Sequence, residues 1–535
     1  MTDRSMSAAG YGMTRRTALR ATLATGATFA AGGLLTACSD EPQEAAPKGT
    51  PASGTKPKQG GTLRAGISGG GASDTLDAHH SSGAAEESRL PQLYEPLALY
   101  DHDATLMMVL AESMEPARDA RSWDIRLREG VEFHNGKTLG ADDLIYTFQR
   151  ILNPDDPKDG VGFFGYVDAT RLQKLDARTV RVHLKVKSAT LTDDVAQYFN
   201  GIVPVGYDPR KPVGTGPFKF KSFTPGEEST FVKNENYWRT GQPYLDELSI
   251  INMNDDAARV NALLSGEIDA IMGLPARQVP TVENNPELRV QIAEKTGVHQ
   301  PLTMRMDKAP FDDVRVRQAF RLMVDREQMV QQAYGGQASV GNDMPGLPDP
   351  MYASSLPQRE QDIEQAKSLL KAAGHEGLTI EMVTAPMYRG VLESGQVFVE
   401  QAKAAGVNIK TKQLDTTGFF DGYGGWTFSQ TFYGGRSVLG QIGFQYMPDS
   451  IWNETGWKND RFTKLIAETR ATLDDAKRKE ILFEAQKILH EEGTLVIHSF
   501  VHAVDGYKAQ WTGFNPSWTG GPLGDFRFRE VGLSA

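Results

Sequence analysis

The chain is poor in cysteine, in net positive charge and in long apolar runs, and each shortage excludes a class of protein. Cys38 is the only cysteine among 535 residues, so no disulfide can form within the chain and a buried core must supply stability. The formal net charge of -11 argues against a surface that binds nucleic acid or anionic membranes. Beyond the amino-terminal segment no run is apolar enough to span a bilayer, so we expect a soluble body of about two to four domain-sized units.

The amino terminus carries the pattern of an export signal. Arg15 and Arg16 precede a weakly apolar run, and residues 35–38 read Leu-Thr-Ala-Cys. This arrangement resembles a Tat-type lipoprotein signal, in which residues 1–37 would be removed and Cys38 would carry lipid. The alternative is a chance cysteine after a transmembrane helix, but the run is short and rich in Gly, Ala and Thr.

A tether and a folded body follow the signal. Residues 38–59 are rich in Pro, Ala, Gly, Glu and Lys and cannot bury enough apolar surface to fold, so we interpret them as a flexible tether. From Gly60 onward strand and helix patterns alternate, which favours α/β lobes over a barrel or a solenoid. Strands are predicted at 60–67, 123–127 and 180–184, and helices at 141–148, at 362–373 before Gly374, and at 474–490 with a cap at Thr472 or Asp474.

Several separated stretches share the order and spacing of one family. They are residues 110–115 (LAESME), 127–137 (LREGVEFHNGK), 212–220 (PVGTGPFKF), 234–238 (NENYW), 262–270 (ALLSGEIDA), 310–320 (PFDDVRVRQAF) and 324–327 (VDRE). From about Gly60 to the carboxyl terminus, the chain resembles the family 5 extracellular solute-binding proteins of ABC importers. This is the dipeptide, oligopeptide and nickel-binding group.

The resemblance implies a fold, a set of partners and a location. The fold would be α/β and two-lobed, periplasmic-binding-protein-like (type II, cluster C), with an extra inserted subdomain. Lobe I would comprise 60–101, 213–299 and 510–535, the inserted subdomain 102–212, and lobe II 300–509. A monomer of this kind would trap a small-molecule ligand between hinged lobes and hand it to ABC permease subunits. It would sit lipid-anchored at the outer face of the cytoplasmic membrane, without nucleic acid, cofactor or catalysis.

The resemblance also indicates where the ligand would lie. Candidate contacts fall in the first loop, in a later Tyr-Arg pair and in the segment 426–436; they are Asp77, His79, His80, Tyr388, Arg389, Trp426, Tyr433 and Arg436. Within that segment we expect Phe428 and Phe432 to be core residues, whereas Trp426 and Tyr433 are more open.

Arg436 makes this chain different from the family's peptide binders. Those relatives carry an aspartate in this segment that pairs with the ligand's α-amino group, and residues 426–436 here contain no acid. An arginine in the cleft would favour a ligand with a carboxylate or similar acidic group. The alternative is an internal ion pair formed by Arg436.

Most of the motifs that carry the resemblance are interpreted as scaffold. Gly214 and Gly216 would permit unusual backbone angles, and Gly266 would end a helix before a strand. Tyr237 and Trp238 are large apolar bodies that we expect to be packed.

Three patterns that look catalytic or metal-binding have weaker support. Residues 66–70 match a nucleophile elbow, but Gly and Ala after the serine are a poor helix start. Residues 136–138 resemble the end of a phosphate loop, but the upstream glycine is misplaced. Adjacent His79 and His80 cannot share one face of a helix or strand, so a solvated loop is preferred over a metal site.

Rival functions remain at this point. Within the receptor class the cargo could be a saccharide, an opine-like acid or a chelated metal instead of a peptide-type solute. In another class, a secreted hydrolase would rest only on the pattern at residues 66–70.

Overall fold

The computed structural model describes residues 56–80, 83–448 and 450–535. The predicted signal peptide, Cys38 and nearly all of the predicted tether lie outside the described residues. The strands are β1 Thr62–Ile67, β2 Ala98–Tyr100, β3 Leu106–Met108, β4 Ala111–Pro116, β5 Ser122–Leu127, β6 Val167–Lys174, β7 Thr179–Leu184, β8 Phe218–Thr224, β9 Glu228–Lys233, β10 Glu247–Asn252, β11 Ala270–Ile271, β12 Leu288–Ala293, β13 Leu302–Met304, β14 Ala338–Val340, β15 Thr379–Thr384, β16 Asn408–Gln413, β17 Phe428–Gln430, β18 Leu495–Val496, β19 Ser499–Val501, β20 Ala503–Lys508, β21 Trp511–Thr512 and β22 Gly532–Leu533.

Helices connect and cover these strands. They are α1 Ala84–Leu93, α2 Ala141–Ile151, α3 Val161–Phe164, α4 Leu191–Asp194, α5 Asp256–Ser265, α6 Val279–Glu283, α7 Val314–Leu322, α8 Arg326–Tyr334, α9 Ile363–Ala372, α10 Val391–Ala404, α11 Thr416–Asp421, α12 Val438–Gln445, α13 Asp460–Ala471, α14 Asp475–Glu492 and α15 Pro522–Asp525, with 3-10 turns at Ala276–Gln278 and Phe528–Glu530. Across the described ranges, no helix combines the length and apolar character that crossing a membrane requires.

The elements predicted from periodicity are present. β1, β5 and β7 form at the three predicted strands, and α2, α9 and α14 form at the three predicted helices. Asp362 caps α9 by accepting the backbone N–H of Gln365, and Asp474 caps α14 by accepting that of Lys477. Asp474, and not Thr472, is therefore the N-cap of α14.

A seven-stranded mixed sheet forms the first lobe, called here the seven-stranded lobe. Its strand order is β12-β20-β11-β1-β10-β9-β8, and β1 runs parallel to both β10 and β11. Leu63, Ala65 and Ile67 of β1 are fully buried, and Leu90 and Leu93 of α1 belong to the same core. A central strand buried in this way explains the apolar character of its sequence.

A five-stranded sheet forms the second lobe, the five-stranded lobe, and a smaller sheet forms a subdomain. The five-stranded order is β16-β15-β17-β13-β18, with Phe320, Phe398 and Phe428 packed in its core. The four-stranded subdomain has the order β4-β5-β7-β6, and Phe148 of α2 is buried against it.

The chain crosses between the two lobes twice. The first crossing follows β12 and leads to β13, and the second passes through His502 between β19 and β20. Thr296 donates its hydroxyl to the carbonyl of Val501 at 2.6 Å, so the crossings are bonded to each other. β20, which lies inside the predicted lobe II range 300–509, pairs with β12 and β11 in the seven-stranded sheet. Local sequence patterns do not predict pairing between strands that lie so far apart in the sequence.

The scaffold glycines act in two different ways. Gly266 has a φ of 80°, and its N–H bonds the carbonyl of Leu263, so it ends α5 as predicted. Gly214 and Gly216 do not take positive φ values, which corrects the expectation of unusual backbone angles. An added Cβ at either position would overlap backbone atoms of Leu93 or Gln92 at the end of α1, so close approach explains these two glycines.

Tyr237 and Trp238 are part of the packed scaffold. The Tyr237 hydroxyl donates to Glu95 at 2.6 Å, and the Trp238 indole N–H donates to the same carboxylate at 2.7 Å. Tyr237 is buried and Trp238 is half-buried, as expected for rings that pack rather than face a ligand.

Candidate functional site

A cavity of about 800 Å³ lies between the two lobes and is called here the cleft cavity. Its seven-stranded wall includes Ser68 after β1 and Met272 after β11, and its five-stranded wall includes Pro386 after β15. These positions are the carboxyl ends of parallel strands, where α/β folds place ligands. The volume falls within the usual range of about 300–1,000 Å³ for small-molecule sites.

Arg389 joins the two walls of the cleft cavity. It lies just before α10 in the five-stranded lobe, and its guanidinium donates to the carbonyl of Leu274 at 3.0 Å in the seven-stranded lobe. A second N–H donates to the carbonyl of His502 at 2.7 Å, at the crossing itself. Arg389 therefore holds the lobes together at the base of the cleft.

An aromatic pair forms part of the five-stranded wall. The rings of Tyr388 and Phe432 are stacked with centroids 5.2 Å apart, and both residues line the cleft cavity. Phe432 is half-buried, so the expectation that it belongs to the core is wrong, whereas Phe428 is fully buried as expected. The side chains of β17 alternate, but the strand ends at Gln430, so Phe432 is free to turn toward the cavity.

A buried carboxyl group, that of Asp505, lies on the seven-stranded side of the site. Asp505 of β20 lines the cavity and accepts the backbone N–H groups of Gly273 at 3.0 Å and Leu523 at 2.6 Å. Burial raises the pKa of Asp505 to about 6, and these two backbone donors partly oppose the rise. The Arg259 guanidinium donates to the Asp256 carboxylate at 2.5 Å and to two backbone carbonyls. The charges of Arg259 and Asp256 therefore serve the local structure.

A buried polar cluster lies where α1 meets the five-stranded lobe; its members are Glu87, His299, Arg436, Gln441 and Gln445, and it is called the Arg436 cluster. All five side chains are at most 3% exposed. Gly435 donates its N–H to the carbonyl of Thr519 at 3.1 Å, which joins the loop before Arg436 to the carboxyl-terminal segment.

Arg436 is the central cation of this cluster. Its guanidinium lies 3.9 Å from the centroid of the Phe444 ring and contacts the amide oxygen of Gln441 at 3.4 Å. Burial lowers the pKa of Arg436 to about 10, and the nearby groups Tyr433, Tyr198 and Glu87 oppose this decrease.

His299 orders the other half of the cluster. Its Nδ1–H donates to the carbonyl of Gly297 at 2.9 Å, and its Nε2 accepts from the Gln445 amide at 3.2 Å. Burial lowers the pKa of His299 to about 4, so the ring is neutral at neutral pH. The Tyr433 ring stacks on the imidazole with centroids 5.5 Å apart.

Tyr433 is fixed by a buried acid that the sequence did not single out. Its hydroxyl donates to the carboxyl group of Glu454 and also lies 3.0 Å from the hydroxyl of Tyr423. Burial raises the pKa of Glu454 to about 8, and the two tyrosine hydroxyls oppose the increase. Tyr433 is therefore more enclosed than expected, being 4% exposed.

The three candidates of the first loop lie elsewhere. Asp77, His79 and Arg150 form the Arg150 cluster: Arg150 donates to the Asp77 carboxylate at 2.7 Å and to His79 Nδ1 at 2.5 Å. The Nε2–H of His79 donates to the carbonyl of Gly201 at 2.8 Å. His80 is half exposed beside Asp159. These contacts connect the loop to α2 and the four-stranded subdomain, not to the cleft cavity.

The structure thus brings together only part of the predicted set. Tyr388 and Arg389 line the cleft cavity, and Tyr433 and Arg436 lie in or against the Arg436 cluster. Trp426 is half-buried, donates its indole N–H to Phe419 at 3.1 Å and carries Lys412 over its ring. Glu87, His299 and Glu454 were missed by the sequence analysis, because a single buried acid or histidine leaves no periodic signal.

The elbow-like serine lies in the wall of the cleft without the required architecture. Gly69 and Gly70 follow Ser68 with positive φ values, and the described residues between Ser68 and Ala84 form no helix. The Ser68 hydroxyl has Met272 Sδ at 3.7 Å as its described contact. This geometry does not match a nucleophile elbow.

Comparisons with known proteins agree on one family. The family "Bacterial extracellular solute-binding proteins, family 5 Middle" matches residues 105–450. Di/tripeptide-binding protein 2 of Pseudomonas aeruginosa is 27% identical over 464 residues, which are 78% of this chain and 85% of that protein. Heme-binding protein A of Haemophilus influenzae is 27% identical over 464 residues, covering 77% of this chain and 82% of that protein.

A solved relative confirms the fold. The PBP AgaA of A. tumefaciens R10, in complex with agropinic acid, superposes with a TM-score of 0.75 at 26% identity, covering 89% of this chain and 99% of that chain. The α/β, two-lobed periplasmic-binding-protein-like fold predicted from the sequence is therefore correct. The chain belongs to the family 5 bacterial extracellular solute-binding proteins, the substrate-binding components of ABC importers.

Proposed function

We propose that this protein captures a peptide-type solute with an acidic group between its two lobes and delivers it to the membrane subunits of an ABC importer, without catalysis. The observation that carries this proposal is the cleft of about 800 Å³ between the lobes, together with the buried guanidinium of Arg436 in the five-stranded lobe. The similarity to a di/tripeptide-binding protein supports the peptide class.

Arg436 would read the acidic group. A guanidinium can form two parallel hydrogen bonds to a carboxylate, and the low-dielectric surroundings strengthen such a pair. Tyr388, Arg389 and Tyr433 would complete the walls. The other predicted contacts, Asp77, His79, His80 and Trp426, have protein groups as their partners in the structure, so we assign the acidic group of the ligand to Arg436 instead.

An opine-like acid is a second candidate cargo. The solved relative at 26% identity is in complex with agropinic acid. Such a ligand would present an acidic group to Arg436 in the same way as a peptide, so the two candidates differ in the rest of the molecule.

The domain ranges are proposed in a form that follows the sheets. Lobe I would use residues 60–101, 213–299 and the carboxyl-terminal chain, the inserted subdomain 102–212, and lobe II the chain from residue 300. We place the end of lobe II near His502 instead of residue 509, because β20 pairs within the seven-stranded sheet. The hinge would be the two bonded crossings.

The protein would be a monomer held at the outer face of the cytoplasmic membrane by lipid on Cys38 after Tat export. Cys38→Ala should release the protein from membranes, and replacing Arg15 and Arg16 together by lysine should block export. Membrane fractionation measures both. Retention of the Cys38→Ala protein through an alkaline wash would contradict the lipid anchor.

Capture from a peptide mixture tests the receptor function. A casein digest would be divided into an untreated portion and a portion with amidated carboxyl groups, and native mass spectrometry would identify retained species. We expect untreated peptides to be retained, amidated peptides to be lost, and no peptide to be cleaved. Small-angle scattering should show a smaller radius of gyration with retained peptide. Absence of retention, or retention of amidated peptides equally, would contradict the proposal.

A further inference from the structure

Glu87 occupies a position on α1 that faces the other lobe. Gly83 and Ala84, at the start of this helix, line the cleft cavity. Glu87 follows them by four and three residues, so the helix places it on the same face, one turn deeper. Arg436, which belongs to the five-stranded lobe, lies near enough to influence the pKa of Glu87, so the two charges meet at the junction of the lobes.

The Glu87 carboxylate is buried without the contacts that buried acids normally have. The residue is 2% exposed, and Oε2 has no hydrogen-bond partner among the described residues. Asp525, a nearby acid, accepts hydrogen bonds from Ser517 at 2.6 Å and from Arg527 at 3.1 Å. Glu87 forms no salt bridge within the described part of the chain. Leaving one buried carboxylate oxygen unpaired costs about 1–3 kcal/mol, which a cationic group of a ligand would offset.

The groups opposite Glu87 also present polar atoms to this region. Among the described residues, the amide nitrogen of Gln441 and the amide oxygen of Gln445 lack hydrogen-bond partners, and both residues lie on α12. They are one helical turn apart, so they share a face. A polar ligand that reached these buried atoms would give partners to both amides and to Glu87.

We propose that Glu87 is the counter-charge for an ammonium group of the cargo, so that the protein reads a zwitterion between a carboxylate on one lobe and a guanidinium on the other. This inference rests on the proposed function, because it assumes that the acidic end of the ligand faces Arg436. It assigns the amino-group contact to the lobe opposite the segment 426–436, which contains no acid.

The protonation of Glu87 fits this role. Burial and the neighbouring Asp525 raise the pKa of Glu87 well above its usual value, and Arg436 opposes the increase. Without a ligand cation the surroundings therefore favour the protonated carboxyl group. On binding, the carboxyl gives its proton to solvent and the carboxylate pairs with the ligand's ammonium, which keeps its own protons. The ligand contacts Glu87 on one lobe and Arg436 on the other, so binding both of its charged groups favours closure of the lobes.

A chemically modified digest tests the assignment in the wild type. One portion of the casein digest would be N-acetylated, which removes the ammonium and leaves the carboxylate. We expect occupancy by acetylated peptides, measured by native mass spectrometry, to be at least about tenfold lower than by untreated peptides.

Glu87→Gln and a matched control locate the effect. Glu87→Gln should retain at least about tenfold less untreated peptide and should no longer distinguish acetylated from untreated peptides. Glu86→Gln is the control, because Glu86 is also buried on α1 but accepts the backbone N–H of Thr75 at 3.3 Å. It should behave as the wild type, and thermal melts would establish that both variants fold.

Each remaining outcome overturns a defined part of the account. Equal retention of acetylated and untreated peptides by the wild type would leave the receptor function intact and refute the role of Glu87. Discrimination that persists in Glu87→Gln would assign the ammonium to another acid and also refute it. Retention of neither portion would refute the peptide-binding function, and the Glu87 proposal with it. If Glu87→Gln fails to fold, the wild-type comparison still tests whether an ammonium is recognised, and a structure of the peptide-loaded wild type locates that ammonium.

Discussion

Two buried polar clusters in this protein have the same ingredients but differ in completeness. The Arg150 cluster and the Arg436 cluster each contain an arginine, a carboxylate and a histidine. Burial lowers the pKa of His79 in the first and of His299 in the second to about 4. In the Arg150 cluster the side chains satisfy one another: Arg150 donates to Asp77 and to His79, and His79 donates onward to Gly201.

The Arg436 cluster is not closed in this way. Glu87, Gln441 and Gln445 each retain a buried polar atom without a partner in the described chain. A complete buried network stabilises the fold, whereas unpartnered atoms where two lobes meet are available to a ligand. The two clusters contain the same residue types, so the difference between them lies in the pairing of their polar atoms and in their position relative to the two lobes.

Removal of Arg436 should produce the largest effect of the four changes, and the quantity affected should be peptide affinity. Arg436→Ala should weaken binding of the retained digest peptide by roughly 2 to 5 kcal/mol, because it leaves the ligand's anionic group buried and unpaired. Arg436→Lys should recover only part of this loss, since lysine cannot form the planar two-point contact. Titration calorimetry measures both, and equal affinities in all three proteins would make Arg436 structural.

Removal of Arg150 should affect stability instead of binding. Arg150→Ala should lower the free energy of unfolding by about 3 kcal/mol, because it leaves Asp77 largely buried without its partner. Urea denaturation measures this change. Arg181→Ala, which breaks the more exposed pair with Asp124, should have a much smaller effect because water screens that pair. If Arg150→Ala folds but no longer retains peptide, the ligand binds at the Arg150 cluster, and our assignment to the Arg436 cluster is wrong.

Glu454 should make the protein less stable as the pH rises. Its pKa is about 8 in the folded protein against 4.5 for the ordinary side chain, so the unfolded state loses its proton first. As pH rises between these values, the wild type should lose stability relative to Glu454→Gln, by roughly 3 kcal/mol between pH 5.5 and 8.5. Parallel urea titrations of the two proteins measure the difference. A difference independent of pH would show that Glu454 is ionised in the fold.

Arg389 should have the smallest effect, on closure. Arg389→Ala removes hydrogen bonds to Leu274 and His502, each worth about 1 kcal/mol, so the unliganded protein should open and peptide affinity should fall modestly. Small-angle scattering should then give a larger radius of gyration. Arg315→Ala, an exposed arginine paired with Asp313, is the control. An unchanged scattering curve would show that Arg389 does not hold the lobes together.

Sequence patterns predicted the local elements but not the assembly of the site. β5, β7 and α9 follow from periodicity, and the caps of α9 and α14 follow from their aspartates. α1 escaped prediction because its segment AAEESRLPQL is polar although most of its side chains are buried. Likewise β20 joins the seven-stranded sheet through pairing with residues far away in sequence, for which no local rule exists.

Site residues were predictable only where the family motif reaches them. Arg436 was identified because the expected aspartate is missing from its segment, and Tyr388 with Arg389 because the family places contacts there. Phe432 turned out to line the cleft cavity, and Glu87 is visible only once two lobes are folded against each other.

A crystal structure of the wild type loaded from the untreated casein digest tests the central claim most directly. The account predicts ligand density with an ammonium nitrogen within hydrogen-bond distance of Glu87 and a carboxylate on the Arg436 guanidinium, while the contacts among Asp77, His79 and Arg150 remain unchanged. Density bound to Asp77 and His79 instead, with Glu87 and Arg436 untouched, would contradict it.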